Sequence, residues 1–149
     1  MPSMKILLIA GGWSSEREVS LTGARGMQEA LLKRGHAVTF FDLLENFDEL
    51  LETARQHDFA LINLHGSPGE DGLVQAMLEK ADCPYQGSGP SGSFLALNKA
   101  AAKQIFRMAG LPTADWEFLP VRPAEGWEPR LPWPLFVKTT TGGSSLRLG

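Results

Sequence analysis

One stretch near the amino terminus constrains the fold more than any other: an apolar run, two glycines and a helix-start pattern. The apolar run is Ile6–Ala10, a composition typical of a strand buried on both faces of a parallel sheet. Gly11 and Gly12 follow, and glycine allows a sharp turn and a close backbone approach to a ligand. Ser15 and Glu18 have the S-x-x-E spacing of a capping box. The stretch therefore predicts a strand, a tight turn and a helix in succession.

Glu16 is the residue in this stretch with the clearest chemical potential. The pattern places it in the first turn of the helix, just past the carboxyl end of the first strand. In open α/β sheets ligands bind in the crevice at that end. A carboxylate there suits a cationic group such as the ammonium of an amino acid. The alternative is that Glu16 only complements the helix dipole, which contributes about 0.3–1 kcal/mol.

The next hundred residues alternate between strand and helix patterns. Ala37–Phe41 predicts a second strand ending at Asp42, and Phe59–Leu64 predicts a third. The first helix is expected to face the core through a stripe made of Val19, Gly23, Met27, Ala30 and Leu31. Asn46 and Glu49 repeat the capping-box spacing before a second helix. The β-α-β-α-β order predicts a parallel sheet with right-handed crossovers.

A loop rich in turn formers and ionisable groups follows the third strand, at His65–Gly72. Loops at the carboxyl ends of strands often carry function in such folds. Asp71 is expected to cap the helix that follows, and Pro84–Gln86 is at best a short fourth strand. A later helix is predicted around Ala102–Ala109, because its apolar residues recur at helical spacing.

The character of the chain changes after residue 112. Trp116–Leu119 and Leu135–Lys138 are predicted strands, separated by a proline-rich loop, and the second leads into a Gly/Ser/Thr loop. We therefore expect two domains, 1–112 and 113–149, of which the second is incomplete.

Composition narrows the function classes. A net charge of −3, a pI near 5.6 and the lack of a basic stripe argue against nucleic-acid binding. Cys83 is the single cysteine, so no internal disulfide can form, which fits a reducing compartment. No apolar run could span a membrane, and no signal-peptide pattern is found. These features predict a cytoplasmic protein without nucleic-acid or membrane partners.

Four separated motifs occur in one order along the chain. They are Gly11–Leu21, Leu64–Gly72, Pro84–Gly89 with Leu97–Lys99, and Phe136–Lys138 with Gly143–Ser145. Together they resemble the amino-terminal part of the D-alanine–D-alanine ligases of the ATP-grasp superfamily. The resemblance implies an α/β fold, with a Rossmann-like three-layer parallel sheet as the substrate-binding domain. The start of a truncated ATP-grasp domain would follow it.

The resemblance implies an enzyme that joins two D-alanines for peptidoglycan precursor synthesis. ATP phosphorylates one D-alanine, and the amine of the second attacks the resulting acyl phosphate. By motif, Glu16 would bind the first D-alanine's ammonium, Ser144 would join its hydrogen-bond network, and His65 would lie near the reacting carboxylate. Lys99 and Lys138 would contact ATP phosphates. The family uses ATP and Mg²⁺ and is commonly a homodimer.

Taken without the resemblance, the same residues have simpler interpretations. His65 could cap a turn, Lys99 could be a solvated helix residue, and Ser144 could be an ordinary loop serine. The chain also departs from the family's usual pattern near the phosphate loop, at Asn98, Thr139, Gly142 and Arg147. These departures leave the details of that loop open.

The family's adenine pocket, magnesium ligands and transition-state arginine lie beyond residue 149, so no metal ligand is predicted here and we expect the isolated chain to be inactive. Two alternatives remain. An oxidoreductase's dinucleotide-binding domain would use Asp42 for a ribose hydroxyl, although the glycines do not form G-x-G-x-x-G. A non-catalytic structural or dimerisation module is the other. The sequence does not decide between D-alanine, D-lactate and D-serine as the second substrate.

Overall fold

The structure is a computed structural model that describes residues 2–142. Backbone contacts divide the chain into two compact units, Met1–Phe94 and Leu95–Gly149. The domain boundary expected between residues 112 and 113 stays a prediction.

A parallel sheet of three strands forms the centre of the first unit. The strands are β1 (Lys5–Ala10), β2 (Ala37–Asp42) and β3 (Phe59–Ile62), in the order β2-β1-β3. Leu7 of β1 is in register with Thr39 of β2 and Ala60 of β3. Because β1 lies in the middle, the chain passes from β1 to β2 on one side and then crosses β1 to reach β3 on the other side. The crevice between the carboxyl ends of β1 and β3 is therefore the topological switch point of the sheet.

Helices flank the strands in the predicted alternation. They are α1 (Arg17–Lys33), α2 (Leu43–Asn46), α3 (Leu50–Ala54), α4 (Leu73–Lys80), α5 (Pro90–Leu97) and α6 (Lys99–Met108), with a 3-10 turn at Phe47–Glu49. The first helix ends at Lys33, and Gly35, two residues further on, has the left-handed conformation with a φ of +85°. The predicted helix around Ala102–Ala109 is α6.

Two apolar clusters, one on each face of the sheet, make this a three-layer arrangement. Leu7 and Ile9 point to the face covered by α3 and α4, where Leu50 and Leu78 are fully buried. Leu8 and Ala10 point to the opposite face, which α1 covers through Ala24. The predicted α/β class with a Rossmann-like parallel sheet is confirmed.

The free side of β3 carries a partial fourth strand. Ala60 forms an isolated parallel bridge with Tyr85, and its N–H donates to the carbonyl of Pro84 at 2.8 Å. Beyond the bridge, the side-chain amide of Gln86 accepts from the N–H of Ile62 at 2.9 Å and donates to its carbonyl at 2.6 Å. The short strand predicted at Pro84–Gln86 is thus reduced to one backbone bridge and one side chain.

The predicted core-facing stripe of α1 is wrong. Its first four members, Val19, Gly23, Met27 and Ala30, are exposed, and Leu31 is half-buried. The helix instead buries Ser20 and Ala24. A polar residue can occupy this inner position because the Ser20 hydroxyl accepts from the Gly11 N–H at 2.8 Å.

Neither predicted capping box forms. The first helix begins at Arg17, and its N-cap residue, Glu16, makes no side-chain capping bond. Asn46 likewise makes none, and Asp42 caps α2 instead by accepting from the N–H of Leu44 at 3.1 Å. The N-cap residue of α4 is Gly72 and not the predicted Asp71, which lies one position earlier and accepts from the N–H of Leu73 at 3.0 Å.

The two strands predicted after residue 112 are also wrong. Neither Trp116–Leu119 nor Leu135–Lys138 is a strand in the structure, and Phe136 is 90% exposed. The first of these segments is held through side chains. The centroid of the Trp116 ring lies 4.4 Å from the guanidinium carbon of Arg107 and 5.4 Å from the ammonium of Lys103, both on α6. A strand needs a neighbouring strand for its backbone hydrogen bonds, and neither segment pairs with one within residues 2–142.

Candidate functional site

The first loop, Gly11–Glu16, joins β1 to α1 at the switch point. Gly11 and Gly12 both have positive φ, +77° and +75°, which explains the need for glycine. Ser14 closes the turn: its carbonyl accepts from the Arg17 N–H at 3.2 Å and its hydroxyl accepts from the Glu16 N–H at 3.2 Å. Glu16 therefore precedes α1 as its N-cap residue, one position before the predicted first turn.

Glu16 reaches the second loop, which follows β3. A side chain added at Gly66 would place its Cβ 3.6 Å from Oε2 of Glu16 and 3.4 Å from Cβ of Ser14. Gly66 has a φ of +64°, so glycine is favoured there on conformational grounds as well. The carboxylate thus packs against the residue that directly follows the half-buried His65. The structure brings these two predicted site residues to neighbouring loops of one crevice.

A bidentate ion pair lies against the first loop. The Arg17 guanidinium donates to both oxygens of Asp42, at 2.7 and 2.6 Å, and Nη1 also donates to the Gly12 carbonyl at 3.3 Å. These hydrogen bonds hold the pKa of the Asp42 carboxyl below its ordinary value and raise that of Arg17. Sequence reasoning missed this pair, although Arg17 directly follows Glu16 and Asp42 ends the second strand.

A second set of hydrogen bonds fastens the two loops to each other. The Ser20 hydroxyl accepts from the Gly11 N–H and donates to the carbonyl of Asn63, directly after β3. In return, the Asn63 side chain donates to the Ser20 carbonyl at 2.7 Å. Gly23 gives room for this amide, because a Cβ there would lie 3.1 Å from Asn63 Nδ2. The hydrophobic pattern of the sequence does not predict these hydrogen bonds between polar residues.

The second loop is compact and internally bonded. The N–H of Glu70 donates to the Gly66 carbonyl at 2.8 Å, and the Ser67 hydroxyl donates to Asp71. Buried Gln75 of α4 donates to the Gly69 carbonyl at 2.6 Å from below. This loop therefore presents a fixed backbone to the crevice.

The second unit holds the predicted phosphate-binding lysines. The backbone N–H of Lys99 donates to the Thr140 carbonyl at 2.9 Å, and its ammonium donates to the carbonyl of Gly142. Lys138 is exposed. Ser144 lies outside the described residues, as does Arg147. The structure thus joins Lys99 to the segment Thr140–Gly142, which follows Lys138 closely in the chain.

Two of the departures from the family pattern contact each other. A Cβ at Gly142 would overlap the side-chain hydroxyl of Thr139, so a larger residue at 142 is incompatible with this threonine conformation. Asn98 has a local role, since its side chain caps α6 by accepting from the N–H of Ala101 at 3.1 Å. An aspartate could accept the same hydrogen bond.

In residues 2–142, no helix is both long enough and apolar enough to cross a membrane. Within that same range, no three His, Cys, Asp or Glu side chains are grouped so that they could hold a metal ion.

Comparison with known proteins finds close relatives in sequence, although no family model matches. The chain is 77% identical over 146 residues to a D-alanine–D-alanine ligase of Desulfovibrio desulfuricans, covering 98% of this chain and 48% of that protein. It is 69% identical over 145 residues to the ligase of Nitratidesulfovibrio vulgaris, with 97% and 48% coverage. The chain spans about half the length of the curated relatives it matches.

Solved structures give a concordant result. A Bacillus anthracis D-alanine–D-alanine ligase complexed with ATP is similar with a TM-score of 0.73 and 37% identity, covering 83% of this chain and 43% of that one. A Vibrio cholerae D-alanyl-alanine synthetase A gives a TM-score of 0.65 at 30% identity, covering 80% and 41%. Both the sequence and the fold are therefore similar to part of these ligases.

Proposed function

We propose that this chain is the amino-terminal part of an ATP-dependent D-alanine–D-alanine ligase and supplies the binding site for the first D-alanine. Sequence identity of 77% across 98% of the chain supports the family. The observation that carries the site is the Glu16 carboxylate at the switch point, packed against Gly66 and next in space to the His65 loop.

The reaction has two steps in this proposal. The carboxylate of the first D-alanine attacks the γ-phosphorus of ATP, which releases ADP and leaves an acyl phosphate. The amine of the second D-alanine then attacks the acyl carbon, and the tetrahedral intermediate collapses to the dipeptide and inorganic phosphate. Negative charge develops at the transferred phosphoryl group, so cationic side chains and backbone N–H groups stabilise both steps.

The residues of this chain take distinct roles. Glu16 binds the ammonium of the first D-alanine and holds that substrate, and Ser144 joins the same hydrogen-bond network. His65 lies near the reacting carboxylate, where either of its ring nitrogens can donate a hydrogen bond. Lys99 and Lys138 contact the phosphates of ATP. The contact between Lys99 and the Gly142 carbonyl supports its place beside the Gly/Ser loop.

No three His, Cys, Asp or Glu side chains among residues 2–142 are grouped so that they could hold a metal ion, and we assign no Mg²⁺ ligand to these residues. We further propose that the enzyme serves peptidoglycan precursor synthesis in the cytoplasm as a homodimer. Its substrate-binding domain would comprise residues 1–112, with an ATP-grasp domain beginning at 113.

A fusion protein tests the proposal directly. Residues 1–149 would replace the matching half of the Desulfovibrio desulfuricans ligase, and dipeptide formation and phosphate release would be measured with ATP, Mg²⁺ and D-alanine. We expect turnover by the fusion and none by the 149-residue chain alone. An inactive fusion that is folded, or turnover by the isolated chain, would contradict the proposal.

Two variants of the fusion test the role of Glu16. Glu16→Gln keeps the shape but removes the charge, and we expect kcat/KM to fall by about a hundredfold, as when one partner of a hydrogen-bonded charge pair is lost. Glu29→Gln is the matched control, because Glu29 is an exposed carboxylate on α1. Equal kinetics for the two variants would exclude the assigned role of Glu16.

The oxidoreductase alternative is less well supported by the geometry. Its ribose-binding acid would be Asp42, and that carboxylate already accepts two hydrogen bonds from Arg17 and one from Leu44. Calorimetric titration of the chain with NAD, compared with ATP, separates the two functions. Binding of NAD at micromolar concentration would favour the oxidoreductase.

A further inference from the structure

The guanidinium of Arg17 connects three segments of the first unit. It donates to both oxygens of Asp42 at the end of β2 and to the Gly12 carbonyl in the first loop, while its own backbone opens α1. The Arg17 and Asp42 side chains are 24% and 14% exposed, so the pair is largely shielded from water. A fork-to-fork pair fixes direction as well as distance, which a single charged hydrogen bond does not.

The Arg17–Asp42 pair packs directly against the backbone of the first loop. A Cβ at Gly11 would lie 2.5 Å from both Arg17 Nη1 and Asp42 Oδ1, so the loop and the pair occupy adjacent space with no room between them. Asp42 is itself held, because Oδ1 also accepts from the N–H of Leu44 and its carbonyl accepts from the Asn46 amide at 3.0 Å. The guanidinium is therefore anchored to a fixed carboxylate.

The backbone of Glu16 is held on both sides by these hydrogen-bonded residues. Its N–H is bonded to the Ser14 hydroxyl, its carbonyl accepts from the N–H of Ser20 at 3.1 Å, and the next residue is the anchored Arg17. We propose that the Arg17–Asp42 pair positions Glu16 to receive the ammonium of the first D-alanine. Asp42 also neutralises the guanidinium that is adjacent to Glu16 in sequence, so the positive charge does not oppose an approaching cation.

This inference rests on the proposed function, and a kinetic experiment tests it in the active fusion. Asp42→Asn keeps the size and the cap on α2 but removes the charge and one arm of the fork. We expect KM for the first D-alanine to rise between about tenfold and about a hundredfold while kcat changes less than threefold, because misplaced binding groups weaken substrate binding. Arg17→Lys retains the positive charge but cannot bond both oxygens of Asp42 in parallel, and we expect the same rise in KM with little change in kcat.

Glu52→Gln is the matched control. It removes one carboxylate from an exposed arginine pair, Glu52–Arg55, with an oxygen-to-nitrogen distance of 3.3 Å. We expect unchanged KM and kcat. Wild-type KM in Asp42→Asn or in Arg17→Lys, or a fall in kcat alone, would overturn the positioning role.

A structural readout in the 149-residue chain separates this inference from the proposed function. Backbone amide resonances of Gly12 and Glu16 should shift in Asp42→Asn and stay in place in Glu52→Gln. If those amides do not move in folded Asp42→Asn, the positioning role is refuted even where the fusion is an active ligase. If they move and the fusion is inactive, the proposed function alone has failed.

Discussion

Gly72 makes the sharpest stability prediction, because two separate effects oppose any side chain there. The residue ends the second loop, precedes α4 and has a φ of +91°. A Cβ would overlap the Pro90 carbonyl oxygen and lie 3.0 Å from the carbonyl carbon and Cα of that residue. These are backbone atoms, so no rotamer change can relieve the contact.

Gly35 isolates the first effect from the second. It has nearly the same conformation, with a φ of +85°, but a Cβ there meets nothing within 4 Å. Gly35→Ala should therefore cost only the left-handed strain, about 1–2 kcal/mol. Gly72→Ala should cost the same strain plus overpacking of about 1–3 kcal/mol. The expected total for Gly72→Ala is thus about 2–5 kcal/mol.

Urea unfolding followed by circular dichroism measures both free energies of unfolding. The comparison is valid if the two variants share the m-value of the parent chain, since a changed m-value indicates an altered denatured state. If both variants are destabilised by the same amount to within about 0.5 kcal/mol, the close approach of Gly72 to Pro90 has no energetic effect and the reasoning is refuted.

Three other predictions concern single side chains of the first unit. Ser20→Ala should lower the free energy of unfolding by about 1–3 kcal/mol in urea titrations, because the buried N–H of Gly11 loses its acceptor. The pKa of Asp42 lies below its ordinary value of 3.8 because Arg17 donates hydrogen bonds to its carboxylate. The ionised carboxylate therefore stabilises the fold fully above pH 3.8, and this stabilisation is lost as the pH falls through the pKa of the folded state. Stability measured from about pH 6 to about pH 3 should fall less steeply in Asp42→Asn. Burial raises the pKa of the Cys83 thiol, so iodoacetamide labelling followed by mass spectrometry should be more than about tenfold slower than in urea.

Each of these predictions has a control within the chain. Ser3→Ala removes an exposed hydroxyl that donates to the Gly35 carbonyl, and it should change stability by less than about 0.5 kcal/mol. Glu52→Gln should keep the parent's pH dependence, since Glu52 is an exposed carboxylate. Equal effects of Ser20→Ala and Ser3→Ala, identical pH slopes for Asp42→Asn and the parent, or fast labelling of folded Cys83 would contradict the respective prediction.

The sheet was predictable because its strands are short and almost entirely apolar. Ile6–Ala10 and Phe59–Ile62 have the composition of strands covered on both faces, and the alternation with helices determined their parallel pairing. The place of Glu16 beyond the carboxyl end of β1 followed from the same reasoning, although Glu16 is the N-cap residue of α1 and does not lie in its first turn as predicted. The order of strand and helix patterns along the chain was therefore enough to predict the fold of the first unit.

The inner face of α1 was not predictable from hydrophobicity. Ser20 is polar, and it is buried because its hydroxyl bonds to Gly11 and Asn63, which are distant in sequence or lie outside the helix. Val19 was expected inside and is 61% exposed. A pattern of apolar residues does not identify a buried hydroxyl that has hydrogen-bond partners. The prediction therefore turned the wrong face of α1 towards the core.

The contacts that hold the site were missed for the same reason. Arg17 and Asp42 are 25 residues apart, and no spacing rule links them. The strands predicted at Trp116–Leu119 and Leu135–Lys138 show the converse, because strand composition alone does not provide a hydrogen-bonding partner. Contacts between residues that are distant in sequence could not be predicted, whereas the secondary structure of contiguous apolar segments in the first unit could.

The side chain of Gln86 has a consequence for association between molecules. An unpaired strand edge is a template on which another chain can add a strand. Gln86 fills both the donor and the acceptor positions of Ile62 with one amide group, at 2.6 and 2.9 Å. A foreign peptide would have to displace that amide before it could extend the sheet. One side chain thus blocks strand addition at Ile62, the end of β3 that the bridge at Ala60 does not reach.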